Sequence, residues 1–241
     1  MRRVFDRDPL WIAQAPFQRR HWRALVGIIR TFDQPAEVLR RYLSNSGDYP
    51  WRPTLSTPVG PVSPLLMTRH DLLTVNEVFC RRDYGRGPYN TVVDIGANIG
   101  LASLYFLTRS PSTRVWAFEP DPANVAQLRA NLADFEDRYT LTEAAVVADD
   151  SASVRFTFDG RYGHLAATHE PGAAVPAVNI ATMLRLIARD AGEIDLIKID
   201  TEGNETSLIN ALPEDIAIDA IVYEDYLGLI RWHGSARPRV T

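Results

Sequence analysis

Asp94, Gly96 and Gly100 stand at D-x-G-x-x-x-G spacing inside "TVVDIGANIGLASLYF" (91–106), a stretch that begins β-branched and ends as an apolar helical run. A glycine in a strand-to-helix turn lets a ligand approach the backbone closely, and Gly100 lets the following helix sit tightly on a sheet. The spacing departs from the G-x-G-x-x-G dinucleotide fingerprint and lacks the Lys-Ser/Thr ending of a P-loop, so it is not written as a pyrophosphate cradle. Asp94 adds a carboxylate that repels phosphates and favours a cationic or amine-bearing ligand. Glu119 closes the next apolar run, where an acid accepts hydrogen bonds from both ribose hydroxyls. A nucleoside with a positive tail and no phosphate suits this set, and S-adenosylmethionine is such a molecule.

The elements that position these residues alternate. "TVVDI" and "TRVWAFE" read as strands, separated by a helix over Ile99 to Arg109 and followed by one over Asp121 to Ala133. "YTLTEAAVV" and "SVRFTF" predict two further strands. "NIATMLRLIARDAG" predicts a helix capped by Asn179 and stopped by Gly192, and "IDLIKID" a strand. A helix through Asn204 to Leu212 and the strand "IDAIVYED" follow. Alternating strands and helices predict an α/β fold: a mostly parallel sheet with helices on both faces. In such a sheet ligands bind beyond the carboxyl ends of the strands, which gathers Asp94, Glu119, Asp200, Glu224 and Asp225 along one edge.

Residues 1–90 differ in character. Trp22 to Leu43 reads as two short helices broken at Pro35, "SGDYPWRPTLSTPVGPVSP" as an ordered or extended connector, and "RHDLLTVNEVFCRRDY" as a helix with Leu72, Val75, Val78 and Phe79 on one face. The expected division is an N-terminal helical, proline-rich cap over 1–90 and a ligand-binding domain over 91–241.

Composition narrows the class. The chain has 241 residues, 46% of them hydrophobic, and a formal net charge of −4. That suffices for a full core and lacks the basic surplus that nucleic-acid binding needs. No run approaches the roughly 20 apolar residues of a membrane span, and "MRRVFDRDPLWIAQAPF" has acids and prolines where an export leader needs an apolar stretch. A single cysteine, Cys80, allows no internal disulfide. A cytoplasmic setting is the expectation.

Four blocks, "VVDIGANIG", "VWAFEPDPANVAQLRANL", "EAAVVADD" and "LIKIDTEGNETSLI", resemble in order and spacing the motifs of FkbM-type S-adenosylmethionine-dependent methyltransferases. The resemblance covers about Asp71 to Asp225. It implies the class I methyltransferase fold, a Rossmann-like sheet, and methyl transfer to an oxygen, often a hydroxyl of a sugar or polyketide. It further implies that Asp94, Gly96, Asn98 and Gly100 shape the methionine and ribose side of the cofactor site, that Glu119 holds the ribose, and that Glu143 and Ala144 flank adenine. Glu143 stands where the family usually has Asn, and a plain buried strand is the competing assignment for "EAAVV".

Transfer to a hydroxyl needs in-line alignment and a base, a metal, or both. An acid at one strand end followed by two adjacent acids on the next is similar to the magnesium site of macrolide-sugar O-methyltransferases, which implies Mg2+ on Asp200, Glu224 and Asp225. Helix capping or pairing with Lys198 is the competing assignment. His164, in the loop "DGRYGHLAATHE", is the first choice of base, with Glu202 as the alternative; His169 and His233 rank below them. Trp51 and Trp232 are the sugar-stacking candidates, with Lys198 beside the acceptor, whereas Trp11 and Trp22 suit helix packing. The N-terminal region is an alternative homodimer surface, and Arg19, Arg20 and Arg23 read as a solvated face. The short stretch after Asp225 predicts a reduced sheet edge, or one completed by the cap or by a partner. A nicotinamide-dependent oxidoreductase and a noncatalytic methyltransferase-like scaffold are the rival functions.

Overall fold

The computed structural model describes residues 19–44, 46–159, 162–167, 169–225 and 228–233. Trp11 lies outside them, as do the side chains of Arg19, Arg20, Arg23 and Asp225. The chain divides into two compact units, Met1–Arg86 and Gly87–Thr241.

In the first unit α1 (Arg19–Thr31) and α2 (Pro35–Ser44) are separated where Pro35 opens a new helix. Within the proline-rich connector β1 (Leu55–Thr57) and β2 (Gly60–Val62) form an antiparallel pair. Next, α3 (Arg69–Val75) runs on into a π-helical turn, Asn76–Arg81. The expected apolar face is buried: Leu72, Val75, Val78 and Phe79 are all core residues. Gly27 of α1 meets Cys80 so closely that a Cβ there would stand 2.5 Å from the cysteine Cβ.

The second unit opens with β3 (Thr91–Ile95), α4 (Leu101–Leu107), β4 (Arg114–Phe118), α5 (Pro122–Asn131) and β5 (Tyr139–Thr142). A separate group follows: β6 (Ala145–Val147), β7 (Ser153–Asp159), β8 (Tyr162–Leu165) and β9 (Ala173–Asn179). The chain then forms α6 (Ile180–Ala191), β10 (Leu196–Ile199), α7 (Glu205–Asn210), β11 (Ala220–Asp225) and β12 (Gly228–His233). Six strands make the main sheet in the order β12-β11-β10-β3-β4-β5. All its neighbours pair in parallel except β11 and β12. This is the class I methyltransferase arrangement, and its strand order reverses between β3 and β10.

Period-two alternation sorts the sheet's side chains. Val93, Ile95, Ile197, Ile199, Ile221 and Tyr223 join one apolar cluster with Ile180, Leu184 and Ile187 of α6 and Leu208 and Ile209 of α7. Asp94 points the other way, to Ser103 of the fully buried α4. Helices therefore cover both faces. The caps are the ones expected: the Asn179 side chain accepts the Thr182 N–H, and Gly192 ends α6 at φ +85°.

Two expectations need correction. "YTLTEAAVV" is two strands in different sheets, because the Ala144 N–H donates back to the Thr142 carbonyl at 3.0 Å and turns the chain out of the main sheet. The supposed loop around His164 contains β8, which pairs antiparallel with β7 and sets His164 opposite Thr157. Its glycines hid the strand pattern, yet Gly163 is needed there, since a Cβ would fall 2.1 Å from the Phe156 ring. After Asp225 the described residues add a single strand to the sheet, β12, which runs antiparallel to β11 with Glu224 opposite Leu229, the reduced edge that was expected. Among the described residues no helix is long and apolar enough to cross a membrane.

Candidate functional site

The strand registers align Ile95 with Phe118 and Ile199, Phe118 with Thr142, and Ile199 with Tyr223. The residues one step beyond are Gly96, Glu119, Glu143, Asp200 and Glu224. They form a single row along the carboxyl edge, centred on the reversal between β3 and β10 where open α/β sheets bind ligands.

At the centre of the row the Gly96 turn is tightly determined. Gly96 has φ +73°, and a Cβ there would stand 1.9 Å from the Asp200 carbonyl oxygen, so the close neighbour that demands glycine is the end of β10. Asn98 and Gly100 also have positive φ, and Gly100 meets Leu128 of α5, not the sheet its spacing suggested. The Gly96 and Ala97 N–H groups both donate to the Phe118 carbonyl, at 3.0 and 2.9 Å.

Asp94 is wholly buried and faces inward. Its Oδ2 accepts from Ser103 Oγ at 2.6 Å, and its Oδ1 lies 3.1 Å from Lys198 Nζ. One oxygen of this carboxylate is thus held by Ser103, while Oδ1 is buried against the Lys198 ammonium without a hydrogen bond. Lys198 sits opposite Asp94 in the register and is 2% exposed. Its ammonium also donates to the Gly96 carbonyl at 2.6 Å and lies 3.6 Å from Asp200 Oδ2. Burial opposes its charge, but Asp94, Asp200 and Glu119 outweigh that cost and hold its pKa above the ordinary lysine value.

Glu119 is 5% exposed. Its Oε2 accepts the Asn98 N–H at 2.8 Å, while Oε1 accepts the Asp121 N–H at 3.0 Å and Asn124 Nδ2 at 3.3 Å. Burial pushes its pKa up, against these donors. An ionised carboxylate has about four acceptor positions, so three protein donors leave one, on Oε2.

On the β10 side, Glu205 organises the loop. Its Oε1 accepts from the Thr201 N–H at 2.6 Å and Thr201 Oγ1 at 3.0 Å, and its Oε2 from the Gly203 N–H at 2.9 Å. Glu202 rides on that loop, exposed and left-handed at φ +57°. Its surroundings raise its pKa, through desolvation first and then the charges of Asp200, Glu205 and Glu224, with Lys198 opposing.

The remaining expected residues are dispersed. Glu143 is paired at 2.7 Å with Arg129 on the exposed face of α5, and Ala144 is buried at the turn out of the sheet. His164 belongs to the four-stranded sheet, where its Nε2 lies 2.9 Å from Glu170 Oε1. Trp232 stands opposite Ile221, away from the Glu224 end of β11, and packs on the apolar cluster. Trp51 is in the other unit, bridged to Leu66, with the Arg41 guanidinium 4.3 Å above its ring. Among the described residues no three His, Cys, Asp or Glu side chains are gathered as a metal site. Sequence reasoning missed Ser103, Asn124, Glu170 and Glu205. Beside these missed residues Asp121, a cap followed by proline, did carry a local signal.

Comparison with known proteins finds methyltransferase relatives. The 2-O-methyltransferase NoeI of Sinorhizobium fredii is 26% identical over 157 residues, covering 58% of this chain and 64% of that protein. The 31-O-demethyl-FK506 methyltransferase FkbM of Streptomyces tacrolimicus is 37% identical over 87 residues, 34% of this chain and 33% of its own length. The AMB antimetabolite synthetase AmbE of Pseudomonas aeruginosa matches at 46% over 61 residues, 25% of this chain and 3% of that one. The chain thus spans less than two thirds of the length of each. Among solved structures, an O-methyltransferase from Bacillus cereus in complex with SAH aligns at TM-score 0.36 and 14% identity, covering 57% of this chain and 50% of the other. A precorrin-6y C5,15-methyltransferase from Geobacter metallireducens aligns at TM-score 0.32 and 20% identity, covering 55% and 52%. The model of the methyltransferase FkbM domain matches residues 94–233, more than half of the chain and the whole of the acid-bearing edge, so the protein belongs to that family.

Proposed function

We propose that the protein is an S-adenosylmethionine-dependent O-methyltransferase whose acceptor is a hydroxyl of a sugar, a glycan precursor or a glycosylated natural product. The observation that carries the reading is the row of Gly96, Glu119, Asp200 and Glu224 at the strand-order reversal, in a chain of the methyltransferase FkbM domain family. When bound, S-adenosylmethionine supplies a methyl group on an electrophilic sulfonium. Glu119 holds the ribose through the acceptor position left on Oε2, and its bond from the Asn98 N–H keeps that oxygen aimed at the turn. Gly96 and Asn98 shape the cavity, and Ala144 with Glu143 borders the adenine.

The acceptor hydroxyl must lose a proton as its oxygen becomes a nucleophile. Glu202 is the base this reading favours: it stands beside the row on a loop fixed by Glu205, and its raised pKa brings it nearer the working pH. Activity then falls as pH drops through a value above that of an ordinary glutamate, and Glu202→Gln removes that acid limb. His164 is the rival base, supported by its bond to Glu170. Retention of the acid limb in Glu202→Gln with its loss in His164→Ala selects the rival.

Asp200, Glu224 and Asp225 are proposed to hold Mg2+, for which their hard oxygens suit. No step above is routed through that ion. Turnover that vanishes in chelator and returns with Mg2+ supports the assignment, and full turnover in chelator removes it. Mass spectrometry of acceptor pools after incubation with the protein and S-adenosylmethionine tests the whole reading. A gain of one methylene mass on a hydroxylated product supports it. Hydride transfer with a nicotinamide cofactor, or donor binding with no product on any acceptor, favours the oxidoreductase or the scaffold.

A further inference from the structure

We propose that Lys198 is a positioning residue: its buried ammonium ties the Gly96 turn to the end of β10 and thereby sets the shape of the donor site, without itself meeting the acceptor. This rests on the donor site proposed above.

In "LIKI" of β10, a cation stands in a strand whose residues are all buried. A side chain 2% exposed and enclosed under the turn presents nothing to an acceptor. An apolar pair at 94 and 198 would fill similar space with less desolvation. What such a pair lacks is a donor for the Gly96 carbonyl, to which the ammonium comes at 2.6 Å, closer than its 3.1 Å to Asp94 and 3.6 Å to Asp200. Gly96 is consequently held from both sides, its N–H on the Phe118 carbonyl and its C=O on Lys198, while the Asp200 carbonyl blocks its third side. Asp94 balances the charge and is fixed in turn by Ser103. The ammonium also reaches toward Asp200, so one group registers the donor side of the edge against the acceptor side.

The test compares wild type, Lys198→Met and the double variant Asp94→Asn/Lys198→Met, in which no buried charge of the pair remains. S-adenosylhomocysteine affinity is read by calorimetry, melting temperature by circular dichroism, and amide hydrogen exchange on the donor-free proteins. The expected result is a double variant that recovers most of the melting temperature lost by Lys198→Met. It still binds at least about tenfold more weakly than wild type, and its amides at Gly96, Ala97 and Asn98 exchange about tenfold faster. A folded double variant with wild-type affinity and wild-type protection at those amides overturns the proposal and leaves the pair a packing feature. Absence of binding by the wild type overturns the donor reading, while the exchange comparison still decides the role of Lys198. Should neither variant fold, NMR of the wild-type Lys198 ammonium decides: slowly exchanging protons at neutral pH support the clamp, and exchange at the solvent rate refutes it.

Discussion

The carboxyl edge of the main sheet and the four-stranded sheet of β6 to β9 both carry polar groups proposed for chemistry, but they hold them differently. At the edge, Asp94, Lys198 and Glu119 are buried and each has fixed protein partners. On the smaller sheet the His164–Glu170 pair is about one-third exposed on each side, and among the described residues the sheet's own buried cluster is Ala145, Phe156 and Val175, with Val154 and Leu165 packed against it. Buried charges must be matched, so they determine backbone geometry; exposed ones leave it nearly unaffected. The buried charges fix the backbone of the edge, whereas the smaller sheet can change its surface without disturbing the frame.

The sharpest way to break that contrast is Gly96→Ala. Left-handed backbone alone costs a β-carbon residue about 1–2 kcal/mol, and the Asp200 carbonyl must also move. Calorimetry is expected to show a lowered melting temperature together with lost donor binding. Lys198→Met comes next in its effect on function: it leaves the Asp94 carboxylate buried without its cation, a change of about 3–5 kcal/mol in comparable pairs. Urea unfolding of the single and double variants reads it.

The same pair defines a pH window. The folded pKa of Lys198 lies above its unfolded value, so its contribution is complete below the unfolded value, about 10.4, and is lost as pH rises through the higher folded value. Donor affinity controlled by this pair is flat through neutral pH and declines only in strongly alkaline buffer, which binding titrations across pH check. The smallest effect belongs to the other region. His164→Ala shifts the melting temperature by at most about 2 °C and leaves donor affinity unchanged; a large loss of affinity would erase the distinction between the two regions.

Much of the edge was legible because its signals are local. Glycine spacing marked the turn, apolar runs ending in acids marked Glu119 and Asp200, and alternating elements gave the parallel sheet. What the chain could not disclose was direction. Asp94 and Lys198 lie far apart in sequence, and only the β3–β10 register reveals that they face each other and neutralise one another. The exit of the chain after Thr142 escaped for a related reason, since "TEAAVV" keeps strand composition across a backbone reversal. The strand at Tyr162–Leu165 was masked by the glycine that its close packing on Phe156 requires.

A crystal structure of the protein with S-adenosylhomocysteine tests the central claim most directly. The adenosyl group is expected across the β3–β10 reversal, with a ribose hydroxyl on Glu119 Oε2 and the Lys198 ammonium still on the Gly96 carbonyl. Density for the nucleoside away from the Gly96 turn, or a Glu119 carboxylate that makes no contact with the ribose, contradicts it.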